Sequence, residues 1–128
     1  AGSIEVGLSV IDPARFYCNN IAVTQMLLSA MRVHGVNTLI FSSSCAVYGD
    51  PVTLPMAEHH QRDPVNPYGR TKLAIEFMLQ DYAQAYGLRF VGLRYFNAAG
   101  AWPEYGLGEM HEPETHVIPR MFYAIKNR

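Results

Sequence analysis

The run Thr38-Leu39-Ile40-Phe41, held between Gly35 and Ser42-Ser43-Ser44, constrains the fold of this chain more than any other segment. It has strand length and no apolar–polar alternation, so it calls for a parallel sheet covered on both faces. Helical patterns stand on either side. Asp12-Pro13 supplies an N-cap and a proline at the first helical position, where the missing N–H costs nothing. Apolar Phe16, Tyr17, Ile21, Met26, Leu27, Ala30, Met31 and Val33 follow at roughly helical spacing, and Gly35 ends the helix. Asn19 and Asn20 sit inside it although Asn is a poor helix former, so they kink the helix or have work elsewhere. Asn66-Pro67 repeats the cap signal, and a second helix runs to about Tyr86 before Gly87. Leu88 to Phe96 is the next strand, and His116 to Lys126 a final helix. Ala1 to Ser9 reads as the tail of a strand plus a loop; Tyr48 to Pro67 and Ala98 to Thr115 are loops. The order strand, helix, strand, helix, strand implies an open, doubly wound α/β sheet.

Composition narrows the function. A chain of 128 residues with 49% apolar content is too apolar to be disordered and short enough for one domain. No apolar run approaches the ~18 residues of a membrane span. Ten Lys plus Arg against eleven Asp plus Glu give a net charge of −1, which argues against a nucleic-acid or membrane-surface binder. Two cysteines, Cys18 and Cys45, are too few for a disulfide framework and point to a reducing compartment. No signal peptide is visible, and the chain opens as though cut from something longer.

In doubly wound sheets, ligands sit beyond the carboxyl ends of the strands. Ser42-Ser43-Ser44 and Asn97 fall there, although a solvated turn would account for the serines alone. Tyr68 and Lys72, at i and i+4 in the first turns of the second helix, share one face with Cβ atoms roughly 5–6 Å apart. Such a pair can act as a base. A free tyrosine has a pKa near ~10, and bringing it near 7 takes ~4 kcal/mol of differential stabilisation. One exposed ion pair cannot supply that; two cations in a dry cleft can. The plain alternative is a surface Lys72–Glu76 pair, in the weaker orientation.

Three stretches taken together carry a resemblance: Ser42-Ser43-Ser44-Cys45-Ala46-Val47-Tyr48-Gly49, Asn66-Pro67-Tyr68-Gly69-Arg70-Thr71-Lys72 and Leu93-Arg94-Tyr95-Phe96-Asn97. The chain resembles the extended short-chain dehydrogenase/reductases, and within them the cytoplasmic, NAD-dependent isomerases of UDP-hexoses. The loop from Gly108 to Pro119 is similar to their bacterial forms, which usually have Asp where Met110 stands. The resemblance covers the whole chain but only the middle of the family's longer one. It implies a partial, Rossmann-like NAD-binding domain over residues 1–128. It further implies Ser44, Tyr68 and Lys72 as the catalytic triad, with Tyr68 taking the sugar 4-hydroxyl proton as hydride leaves C4. Ser44 would relay that proton, and Lys72 would bind the nicotinamide ribose. Asn19, Ser42 and Phe96 match cofactor-side positions, as do Ala1 and Gly2 through their backbone. Asn97 matches a substrate contact, and His116 and Val117 match the uridine-diphosphate loop. Homodimerisation through the two long helices is implied as well, since Ile75, Leu79, Tyr82 and Tyr86 form one apolar stripe while Phe77 and Met78 lie off it.

The family's glycine-rich dinucleotide motif is missing, as are its last substrate-binding segments, so an internal piece without turnover of its own is expected. Ile4 stands where several members carry lysine. A 4,6-dehydratase would resemble a Thr-Asp-Glu run where this chain has Ser44-Cys45-Ala46, so the acid pair is absent. Epimerases of UDP-pentoses or UDP-glucuronate, and a non-catalytic NAD-binding regulator, are the other rivals. Cys45 reads as a structural thiol rather than a nucleophile. His59, His60, His111 and His116, with Glu58, Glu112 and Glu114, lack the regular spacing of a metal motif, and no metal is expected. His59 and His60 read as a solvated loop face.

Overall fold

The structure, a computed structural model, describes residues 2–109, 112 and 114–127. The contact expected of Ala1, the Met110 departure and the His111 position lie outside the described residues. Two compact units divide the chain, residues 1–96 and 97–128.

The first unit opens with helix α1 (Val6–Ile11) and helix α2 (Pro13–Phe16), the latter capped by Asp12, whose Oδ1 accepts from Arg15 N at 3.3 Å. A π-helical turn (Tyr17–Ala22) leads into α3 (Val23–Val33). Strand β1 (Thr38–Ser44), a 3-10 turn (Cys45–Val47), a long loop, α4 (Pro67–Tyr86) and β2 (Arg89–Tyr95) complete it. The strands are parallel, in register from Thr38↔Arg89 to Ser44↔Tyr95, with α4 as the crossover. Gly87 stops α4 in the left-handed conformation at φ 71°, which only glycine adopts at no steric cost.

Period-two alternation sends Leu39, Phe41 and Ser43 of β1 and Phe90 and Arg94 of β2 to one face. There the apolar members pack against a core of Leu28, Met31, Ile75, Leu79 and Leu88. A cavity of about 410 Å³, lined by Leu28, Met31, Arg32, Tyr82, Tyr86 and Leu88 among others, opens at the amino-terminal end of the strands, away from Tyr68 and Lys72.

Four expectations change. Val6–Ile11 is helix rather than loop, and residues 2–5 form no strand. The serines lie within β1 instead of after it, because they pair with Leu93, Arg94 and Tyr95. Among the described residues of the first unit, cover reaches one face of the sheet: on the other, Ile40 is 70% and Val91 55% exposed. His60 is not merely solvated, since its Nε2 accepts from Val52 N at 3.1 Å and its ring packs edge-on to Tyr48.

The second unit holds an antiparallel bridge between Trp102 and Leu107, a 3-10 turn (Pro103–Tyr105) and helix α5 (Val117–Lys126). No helix among the described residues is long and apolar enough to cross a membrane.

Candidate active site

The carboxyl end of β1 and the first turns of α4 meet because small residues let them. Asn66 caps α4, its Oδ1 accepting from Gly69 N at 2.8 Å, with Pro67 at the first helical position. A Cβ on Gly69 would lie 2.5 Å from the Ala46 carbonyl oxygen and 2.9 Å from Pro64 Cβ, so only glycine lets the helix rest on the turn that follows Ser44. From α1, Ser9 Oγ accepts from Tyr68 N at 3.2 Å.

On this scaffold Tyr68 is buried and Lys72 half-buried one turn later. Lys72 Nζ stands 5.7 Å from the centroid of the Tyr68 ring and 5.1 Å from that of Phe41, and donates to the Ser42 carbonyl at 2.9 Å. Burial pushes the Lys72 ammonium below its ordinary pKa range. Ser44 Oγ accepts from Ala46 N at 3.2 Å, which caps the 3-10 turn and leaves the hydroxyl proton to donate. The surface Lys72–Glu76 pair does not form: Glu76 turns inward to Arg94 and Ser43.

The π-helical turn explains the two asparagines. One extra residue in the turn brings Asn19 and Asn20 together to the amino-terminal segment. Asn19 Nδ2 donates to Ser3 Oγ at 3.1 Å. Asn20 accepts from Ser3 N at 2.8 Å, and donates to Ser3 O at 3.1 Å and Thr71 Oγ1 at 3.0 Å. Gly2 and Asn19 are thus held beside α4, through the residue preceding Lys72. Phe96 follows β2 and is exposed.

In the second unit, Asn97 is exposed, Val117 begins α5, and His116 precedes it. His116 N donates to Glu114 Oε1 at 2.8 Å, and its Nδ1 pairs with Glu109. Glu109, Glu114 and His116 offer ligand atoms all within 4.8 Å of one another, a grouping that the spacing of the histidines did not disclose.

Sequence reasoning named Ser43, Glu76 and Arg94 but missed that the three side chains meet. Signals existed: Ser43 has the inward parity of Leu39 and Phe41, and Glu76 lies beside Ile75 on the stripe continued by Leu79.

A parallel strand–helix–strand unit with polar groups gathered at its strands' carboxyl ends defines an α/β protein of the Rossmann-like class. Over residues 1–128 the sequence matches the model of the NAD dependent epimerase/dehydratase family, and the chain belongs to that family. It is 57% identical to the UDP-glucose 4-epimerase of Rhizobium meliloti (strain 1021) across 128 residues, 100% of this chain and 39% of that protein. The UDP-glucose 4-epimerase of Brucella ovis, solved in complex with NAD, superposes with a TM-score of 0.90 at 59% identity, over 94% of this chain and 37% of that one. The enzyme from Stenotrophomonas maltophila, solved with NAD and formylated UDP-arabinopyranose, gives 0.86 at 39% identity, over 93% and 36%. The chain therefore spans about two fifths of the length of these relatives.

Proposed function

We propose that a protein carrying this chain is an isomerase that interconverts UDP-glucose and UDP-galactose by NAD-dependent epimerisation at C4. The observation that carries this reading is Tyr68, buried on the first turn of α4 with the Lys72 ammonium 5.7 Å from its ring. Tyr68 takes the proton of the sugar 4-hydroxyl, and the nearby ammonium favours the negative charge growing on the phenol oxygen. Ser44, its Oγ held by Ala46 N, donates to the same sugar oxygen and relays the proton.

Bound NAD would supply the hydride acceptor, and then the hydride donor, for the change at C4. The residues fit that cofactor. Lys72 has three N–H groups and gives one to Ser42 O, which leaves donors for vicinal ribose hydroxyls. Gly2, Asn19, Ser42 and Phe96, with Ala1, are the proposed cofactor contacts; Asn97, His116 and Val117 are those of the UDP-sugar. The match over the whole chain to relatives named as UDP-glucose 4-epimerases supports the substrate class.

Two copies are proposed to pair through α3 and α4, a reading supported by exposed Val23, Met26, Leu27 and Phe77. Free Cys18 and Cys45 suit a cytoplasmic setting.

The test uses a full-length chain carrying these 128 residues, with flanking sequence supplied by the Rhizobium meliloti relative. It is expected to convert UDP-galactose to UDP-glucose, and Tyr68→Phe to lower kcat about a thousandfold. Undiminished turnover in that variant overturns the reading. The 128 residues alone, without a glycine-rich dinucleotide motif, are expected to show no turnover.

A further inference from the structure

Glu76 is a buried ionisable group that the chemistry above does not use. It is 4% exposed, one turn after Lys72. Ser43 Oγ donates to its Oε1 at 2.6 Å, Arg94 Nε to Oε1 at 2.9 Å, and Arg94 Nη2 to Oε2 at 2.7 Å. Arg62 Nη1 lies 3.5 Å from Oε2. Arg94 Nη1 continues to Tyr48 OH at 2.8 Å and to the Glu58 carbonyl at 2.9 Å. One carboxylate thereby joins β1, α4, β2 and the loop after β1. Burial alone would push its pKa up, but the hydrogen bonds from Arg94 and Ser43 and the charges of Arg94 and Arg62 outweigh that. They hold it below the usual carboxylate range.

Stability alone is a poor reason for such a cluster, because well-packed apolar side chains often replace a buried ion pair without loss. Direction is what it adds. A forked guanidinium–carboxylate pair fixes both partners in angle as well as distance. The place where it does so is informative. Ser43 is flanked by Ser42, whose carbonyl accepts from Lys72, and by Ser44. Lys72–Ser42 and Glu76–Ser43 are therefore successive rungs between α4 and the tip of β1. With an apolar contact at position 76, the helix could shift along the strand at little cost. With the cluster in place, a shift would break the Ser43 and Arg94 hydrogen bonds.

We propose that Glu76, together with Ser43 and Arg94, is a positioning residue for the reacting groups: it sets the register of α4 against β1 that presents Tyr68 and Lys72 to Ser42 and Ser44. This inference rests on the epimerase reading.

The experiment uses the full-length chain described above. Glu76→Gln keeps the side chain's size and removes its charge. It is expected to lower kcat by about tenfold or more with little change in KM, as misplacement of reacting groups does. The decisive readout is non-additivity. In a Tyr68→Phe background the same substitution should change the residual turnover by less than about twofold, because its effect passes through the phenol. A general structural loss would multiply the two effects and overturn the proposal. Should Glu76→Gln not fold, Ser43→Ala removes only the 2.6 Å bond and is expected to lower kcat about threefold or more with unchanged circular dichroism. Full turnover in a folded variant of either kind, beside an impaired Tyr68→Phe, removes this role and leaves the epimerase reading intact. Full turnover in Tyr68→Phe removes both.

Discussion

The face that α4 turns toward the sheet is built in two ways, by two sets of residues that meet at Ile75 and Glu76. One is apolar: Ile75 and Leu79 pack with Leu28, Met31 and Leu88, and Leu39, Phe41 and Phe90 close over them. The other is polar: Thr71, Lys72 and Glu76 meet Asn20, Ser43, Arg94 and the Ser42 carbonyl through directed hydrogen bonds. Apolar burial is non-directional and tolerates repacking, so the first half holds the layers together without dictating their register. The second half dictates register. Within it, Lys72 and Glu76, one turn apart, both have their pKa lowered on folding, but the charged form stabilises the fold at Glu76 and burdens it at Lys72. Glu76 has its pKa lowered on folding, so it contributes stability above its ordinary value of 4.5, and that stability is lost as pH falls through the folded value. Lys72 also has its pKa lowered, by desolvation. It therefore burdens the fold at neutral pH, and the burden lifts as pH rises through its folded value toward 10.5. The positioning residue is satisfied where it stands; the reacting-site residue is held there at a cost.

Glu76 gives the largest test of this contrast in stability. In the full-length chain, Glu76→Gln is expected to lower the unfolding free energy at pH 7 by about 3–5 kcal/mol, the usual cost of breaking a buried pair. Urea titrations from pH 7 to pH 3 should show the gap between the two proteins narrowing below the ordinary value of 4.5, where the unfolded chain takes up a proton that the native carboxylate does not, until the native group is protonated as well. A gap that is constant with pH would mean that the cluster acts by packing, and the distinction between the two halves would fail.

The apolar half answers to a different substitution. Leu79 is fully buried, and Leu79→Ala is expected to cost about 2–5 kcal/mol through lost transfer energy and the cavity left behind. Below the unfolding transition, kcat should stay within about twofold of the parent, because Leu79 shares no hydrogen bond with the reacting groups. The same urea and rate measurements decide the matter. A loss of kcat as large as that of Glu76→Gln would show that the apolar packing sets register too.

What could be read in the sequence was the local chemistry. Asp12-Pro13 and Asn66-Pro67 start helices as their capping groups require, Gly87 ends one, and Tyr68 and Lys72 stand on one face because i and i+4 always do. What could not be read was set by partners distant in the chain. Val6–Ile11 carries no side-chain cap, and its buried Ser9 meets Tyr68 N, 59 positions away. Ser42 to Ser44 have little strand signal of their own and are strand because Leu93 to Tyr95 pair with them. Glu76 looked like a surface residue because its partners, Ser43 and Arg94, are 33 and 18 positions away. The asparagines had a visible oddity, yet only the contacts to Ser3 and Thr71 say what the π-helical turn is for.

The smallest expected effect falls where capping and chemistry coincide. Asn66 Oδ1 holds Gly69 N at 2.8 Å, and Tyr68 lies between them. Asn66→Ala is expected to cost about 0.5–2 kcal/mol, a cap's usual worth, seen as a lowered Tm. Because the freed N–H is in the turn that carries the phenol, kcat should fall as well, by about twofold to fivefold. Asn66→Asp, which keeps an oxygen acceptor at the cap, should restore both. If Tm falls in Asn66→Ala while kcat holds, the first turn is positioned by the Gly69–Ala46 approach and the Ser9 bond instead, and the cap belongs with the stabilising half of the helix rather than the directing one.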